Sequence, residues 1–200
     1  RRFWQEYSHY VQMESTVEPV PVLKAVLKRT LPLTGLPGAD SKAEEWAQVG
    51  MERFKLELKP FPPVPALLEW LRQQGIGCGV ISNGAGREQR AKLVGLGLAD
   101  YFSPQQLLFS DELGLAKPDP AVFHRALEAC GFKASETVFI GDSPLTDLPG
   151  ALAVGLTVIW LNRHALRAPK LGPLPGRLWE RKSFSALADL IKDLVIGGKP

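Results

Sequence analysis

The sequence predicts an α/β protein: a parallel sheet covered by helices on both faces, preceded by a small helical part. Three observations carry this. From residue 66 onward, short apolar runs alternate with helix-length amphipathic stretches, as βαβ units require. The apolar runs are nearly continuous rather than interleaved with polar residues, which marks strands buried on both faces. A stiff connector, Lys59-Pro60-Phe61-Pro62-Pro63-Val64-Pro65, separates this rhythm from a purely helical pattern upstream. The expected domains are therefore 1–58 and 59–200.

In the first part, Phe3, Trp4, Tyr7, Tyr10 and Val11 recur at helical spacing. Pro19 and Pro21 break that pattern, and residues 22–30 read as a short second helix. Residues 31–39, with Pro32, Gly35, Pro37 and Gly38, read as a loop. Asp40 or Ser41 caps a third helix, with Glu44 and Glu45 in its first turn, running through Trp46, Met51 and Phe54 to about residue 58.

In the second part, residues 66–74 form an amphipathic helix stopped by Gly75, and 77–82 a buried strand. Residues 87–96 are helical and 107–109 a short strand. Residues 120–130 are a helix with Pro120 at its first position and Gly131 beyond its end. Residues 137–140 are a strand, 145–154 a helix stopped by Gly155, and 156–161 a strand. Residues 183–195 close the chain as a helix with Phe184, Leu187, Leu190, Ile191 and Leu194 on one face. No internal repeat or low-complexity tract is present. The sum is a Rossmann-like sheet with helices on both faces.

Composition removes other classes. The chain has 200 residues, 45% hydrophobic and 22% charged, which is globular usage and excludes a mainly disordered chain. Apolar runs such as 155–161 are too short to span a bilayer, so no membrane partner is expected. Lys+Arg 24 against Asp+Glu 21 gives only +3, and no nucleic-acid partner is expected. Cys78 and Cys130 lie in apolar surroundings without a CxxC, which reads as buried thiols in a reducing, cytoplasmic compartment. The chain opens Arg1-Arg2-Phe3-Trp4, with neither an initiator Met nor a signal peptide, so Arg1 is not expected to be the natural start. His9, His124 and His164 lack metal-ligand spacing. Gly75-x-Gly77-x-Gly79 precedes a strand, so it reads as a helix stop and not as a dinucleotide loop. The basic stretch Arg163, Arg167, Lys170, Arg177, Arg181 and Lys182, interrupted by prolines, reads as a solvated loop. The aromatics Phe3, Trp4, Tyr7 and Trp46 read as core.

In parallel α/β sheets ligands bind beyond the carboxyl ends of the strands. The residues directly after each strand are therefore informative. After 77–81 comes Ser82-Asn83-Gly84; after 107–109 and its loop, Lys117-Pro118-Asp119-Pro120; after 137–140, Gly141-Asp142-Ser143-Pro144-Leu145-Thr146-Asp147. Ser82 with the Asn83 and Gly84 amides makes an anion pocket at a helix start. Lys117 supplies a point charge worth about 4 kcal/mol against a unit charge 4 Å away at an effective dielectric of 20. Asp142 and Asp147 offer hard oxygens that suit Mg²⁺. Each piece alone is an ordinary turn; the three in this order describe a site for a phosphoryl group and its metal.

That ordered set resembles the haloacid dehalogenase-like (HAD) hydrolase superfamily over residues 60–165, with residues 1–58 similar to its helical cap. The resemblance implies that Ser82 binds the transferring phosphoryl group, Lys117 balances charge at the nucleophile, and Asp142 and Asp147 hold Mg²⁺. Gly141-Asp142 stands where the dehalogenase branch tends to show Ser-Asn, which points to the phosphatase branch. Ser82–Gln89 and Trp160-Leu161-Asn162 are most similar to nucleotide 5′-phosphatases and N-acylneuraminate 9-phosphatase. The implied substrate is a small phosphorylated metabolite, the oligomeric state staying open. The family's first motif, Asp-x-Asp-x-Thr after a first strand, is absent from these residues. That strand is central in the family's sheet. Its four or five apolar side chains would contribute about 6–15 kcal/mol, against a domain stability of about 5–15 kcal/mol. The expectation is that an upstream strand, or another segment, fills the gap, and that residues 1–200 alone are inactive. Two alternatives stand beside the phosphatase: a non-catalytic HAD-shaped scaffold and a 2-haloacid dehalogenase.

Overall fold

The structure is a computed structural model that describes residues 58–196 together with Leu27, Gly38, 42–43 and 45–50. The expected helices around Phe3–Val11, and most of the helical part before residue 58, lie outside the described residues. Within that part Leu27, 42–43 and 45–50 are helical, with Ala43 fully buried and Leu27 packed against it.

From residue 58 the elements run α1 (Pro63–Gln73), β1 (Val80–Ser82), α2 (Gly86–Gly95), β2 (Leu107–Phe109), α3 (Ser110–Leu113), α4 (Pro120–Cys130), β3 (Val138–Gly141), α5 (Leu148–Ala153), β4 (Thr157–Leu161), β5 (Arg177–Arg181) and α6 (Phe184–Ile196). All strand pairs are parallel. The α/β class and the two helical layers are as expected.

The layers follow from alternation along β4, whose residues Val158-Ile159-Trp160-Leu161 are all apolar and buried. Successive side chains of a strand point to opposite faces. Ile159 and Leu161 pack with Leu67 and Leu71 of α1 and Leu187, Leu190 and Ile191 of α6. Val158 and Trp160 pack with Val122 and Phe123 of α4 and Leu148, Ala151 and Leu152 of α5. Helix α4 is bounded as its sequence demands. Asp119 accepts the Ala121 amide at 2.9 Å, and the chain leaves through Gly131 at φ 68°, with Phe132 N–H donating to the Leu127 carbonyl.

The ladder is in two pieces. Strand β1 pairs with β2, β3 pairs with β4 and β4 with β5, and among the described residues no strand joins β1 to β3. Both pieces nevertheless share the same helical layers. Ile81 and Phe139 pack on the α4/α5 side, while Ile76 and Cys78, leading into β1, pack on the α1/α6 side. The result is one sandwich with a seam between β1 and β3. At the seam, Val138 and Ile140 are 38% and 41% exposed, unusual for apolar residues of a parallel strand.

Strand β5 corrects the sequence expectation. Arg177 and Arg181 belong to a paired edge strand and not to a solvated loop; its register is Thr157↔Arg177 through Leu161↔Arg181. Helix α5 is also shorter than the predicted 145–154, because residues 144–147 form turns that fold Asp147 back toward β3. Cys78 and Cys130 are free and half-buried, and burial pushes both thiols above their ordinary range. The connector is clasped at Phe61, between Pro60 and Pro62: Phe61 stacks on Phe184 at 4.2 Å, and the Arg163 guanidinium lies 4.6 Å over the Phe61 ring.

Candidate active site

Ser82 ends β1, and the chain turns at once toward α2. Among the described residues its hydroxyl has only a long 3.4 Å contact, to the Asn83 carbonyl, which leaves it available to a ligand. The next residues are tied down by other segments. Asn83 is bonded twice to Lys117: its Nδ2 donates to the Lys117 carbonyl at 2.9 Å, and the Lys117 N–H donates to its Oδ1 at 2.9 Å. The Gly84 N–H donates to Ser110 Oγ at 2.8 Å. The Gly86 N–H donates to both Asp111 oxygens, at 2.9 and 3.0 Å. The β1–β2 register explains the last two. Ser82 lies opposite Phe109, so Ser110 and Asp111 emerge beside the start of α2, where a carboxylate complements the helix N-terminus.

Lys117 is the link between the two sheet pieces. Its main chain is held by Asn83 after β1, and its Nζ lies 2.6 Å from Asp147 Oδ1. Both side chains are sheltered, at 13% and 4% exposure. The other oxygen of Asp147 accepts the Asp142 N–H at 3.0 Å and the Ser143 N–H at 2.9 Å. Asp147 thus closes the turn that follows β3. Gly141 makes room for it, since a Cβ there would stand 2.5 Å from Asp147 Cβ. Trp160 Nε1 donates to the Asp142 carbonyl at 3.1 Å, fixing the same turn to β4. The Asp142 residue itself is exposed. The ends of β1 and β3 and the loop before α4 therefore meet through one chain of hydrogen bonds.

Of the residues singled out in the sequence, Ser82, Asn83, Gly84, Lys117, Asp142 and Asp147 all belong to this cluster. Two of them carry other partners than the sequence suggested. The Gly84 amide is engaged by Ser110 and is not among the donors offered to a ligand at this turn. Asp147 is buried with both oxygens engaged, one by the Lys117 ammonium and the other by the Asp142 and Ser143 amides. Sequence reasoning passed over Ser110 and Asp111. Their signal was position: they come directly after the 107–109 strand, at the start of a helix.

A family model described as haloacid dehalogenase-like hydrolase matches residues 7–155. The chain belongs to the haloacid dehalogenase-like hydrolase family. Among curated relatives of this HAD chain, it is 37% identical over 144 residues to a phosphoserine phosphatase of Thermus thermophilus, covering 72% of this chain and 55% of that protein. It is 33% identical over 172 residues to a phosphoglycolate phosphatase of Rhodospirillum rubrum, covering 82% and 69%. The HAD chain thus spans little more than half the length of the phosphoserine phosphatase. A solved dehalogenase structure superposes with a TM-score of 0.72 at 23% identity, covering 94% of this chain and 81% of that one, which shows the shared fold.

Proposed function

We propose that the protein is a Mg²⁺-dependent phosphomonoester hydrolase acting on a small phosphorylated metabolite. The observation that carries this is the hydrogen-bonded path Asn83–Lys117–Asp147–Asp142, which ties together the loops that bear the Ser82 hydroxyl, the Lys117 ammonium and the exposed Asp142. In this reading Ser82 Oγ and the Asn83 amide hold phosphoryl oxygens, and the Lys117 ammonium offsets charge developing on them. The relatives named as phosphatases support the same substrate class.

The donor set suits Mg²⁺ in one specific way. Among the described residues no group of three or more His, Cys, Asp or Glu forms a cage. Mg²⁺ usually keeps several waters and takes one or two carboxylates together with substrate phosphate. Asp142, exposed at the end of β3, would be such a carboxylate, with Asp147 behind it orienting its turn. When bound, the ion would supply charge neutralisation at the phosphoryl oxygens.

The nucleophile in this reading is an Asp on a further strand. One of its oxygens bonds to phosphorus as the ester oxygen departs as an alcohol, and water then releases inorganic phosphate. The 200 residues contain no Asp-x-Asp, and the seam between β1 and β3 is the position from which such a strand would deliver its end to Ser82, Lys117 and Asp142. Residues 1–58 act as a cap that selects substrate, hinged at the proline connector. The protein works in the cytoplasm.

The test is a panel of phosphomonoesters and 2-haloacids offered to the protein made from its complete reading frame, with Mg²⁺ and with EDTA. Phosphate release that needs the metal and falls at least about 100-fold in Asp142→Asn is expected. Haloacid turnover in EDTA would establish the dehalogenase reading instead, and no turnover of either would favour the scaffold. Residues 1–200 alone should turn over nothing.

A further inference from the structure

We propose that Asn83 is a positioning residue, whose side chain fixes Lys117 and thereby sets where the Lys117 ammonium stands. The inference rests on the reading of Lys117 as the charge-balancing group. A side-chain amide has one acceptor oxygen and one donor NH₂. In Asn83 both ends are spent on a single residue, 34 positions away: the oxygen on the Lys117 N–H and the nitrogen on the Lys117 carbonyl. One hydrogen bond leaves a pivot; two to the same residue fix its direction as well as its distance.

Lys117 needs such a hold. It lies between α3 and α4, outside every strand ladder, where the local backbone bond is the turn from Asp119 N–H to the Ala116 carbonyl. Its ammonium must nevertheless reach Asp147 at 2.6 Å across to the other sheet piece. Asn83 supplies the fixed point. It is anchored in turn by β1 on one side and by the Gly84–Ser110 and Gly86–Asp111 bonds on the other. With each of its polar groups bonded to Lys117, the Asn83 side chain acts on a substrate through Lys117. The residue type is restrictive. Asp keeps the acceptor and loses the donor, Ala loses both, and Gln carries an extra methylene.

The experiment has two readouts. In the protein from its complete reading frame, amide hydrogen exchange at Lys117 should rise about tenfold or more in Asn83→Ala and stay near wild type in Asn83→Asp, whose carboxylate still accepts that N–H. Exchange at Val158 in β4 should be unchanged in both, which separates loss of the clamp from loss of the fold. In the protein from its complete reading frame, Asn83→Ala should lower kcat about 10- to 100-fold with KM within about threefold, and Asn83→Asp should fall between it and wild type. Unchanged Lys117 exchange in Asn83→Ala, or a KM-only effect, overturns the proposal. If wild type shows no phosphatase turnover the catalytic reading falls by itself, and the exchange rates still decide whether Asn83 clamps Lys117.

Discussion

The two sheet pieces differ in how they are held. Strand β4 has a partner on each side, and Val158, Ile159 and Trp160 are at most 1% exposed. Strand β1 is three residues long with half-buried side chains, and β3 leaves Val138 and Ile140 open. Yet the residues to which the proposed function assigns chemistry sit on the weaker strands: Ser82 ends β1 and Asp142 follows β3. In a continuous parallel sheet, ladder hydrogen bonds would set the spacing of those strand ends. Here side chains do it, through Asn83 to Lys117 and Lys117 to Asp147. The cluster is thus a structural link and, under the proposed function, a chemical one, so removing parts of it should separate the two roles.

The largest effect should come from Asp147→Ala. The substitution removes the partner of a sheltered ammonium and the acceptor of two backbone amides. Breaking one side of a buried ion pair costs about 3–5 kcal/mol. Urea unfolding followed by tryptophan fluorescence should show a loss of that size. A loss below about 1 kcal/mol would mean that the helical layers alone hold the two pieces together.

A smaller loss is expected where α5 meets the Lys117 loop. A Cβ on Gly150 would strike the Pro118 carbonyl oxygen and stand 2.5 Å from a Phe123 ring carbon. Gly150→Ala must push α5 away from that loop, at about 1–3 kcal/mol. The melting temperature should drop by roughly 2–12 °C. An unchanged value would mean that the contact relaxes freely and that the loop does not depend on α5.

Those two positions also show what could be read beforehand. The strands at 107–109 and 157–161 and the helix at 120–130 carry their own signals: apolar runs between breakers, a proline at a helix start and a glycine after its end. That the loops after β1, before α4 and after β3 lie together followed from their place at strand ends in a parallel sheet. Strand β5 did not declare itself, because an edge strand is charged for good reason. Arg177, Glu180 and Arg181 discourage further pairing, and the same residues just after Pro173 and Pro175 resemble a loop. The partners of Gly84 and Asp147 were equally hidden. Which amide a Ser110 hydroxyl takes, or whether a carboxylate turns inward to Lys117, depends on register and packing across tens of residues. Residue type alone does not carry that.

The smallest effect, and the one that best sharpens the contrast between the pieces, belongs to Ile140→Lys. In residues 1–200 the Ile140 side chain is 41% exposed beside the seam. A lysine there keeps its ammonium in water and lays its stem along the sheet, so the stability change should stay within about 0.5 kcal/mol. The same substitution in the protein made from its complete reading frame should behave differently. If a further strand fills the seam, as the proposed reading requires, its side chains would lie alongside Ile140, and a lysine there would lose water on that face, at several kcal/mol. Paired urea titrations of the two proteins measure the difference. Equal, small changes in both would make β3 a true outer edge, and the seam would lose its standing as the place from which a nucleophile is delivered.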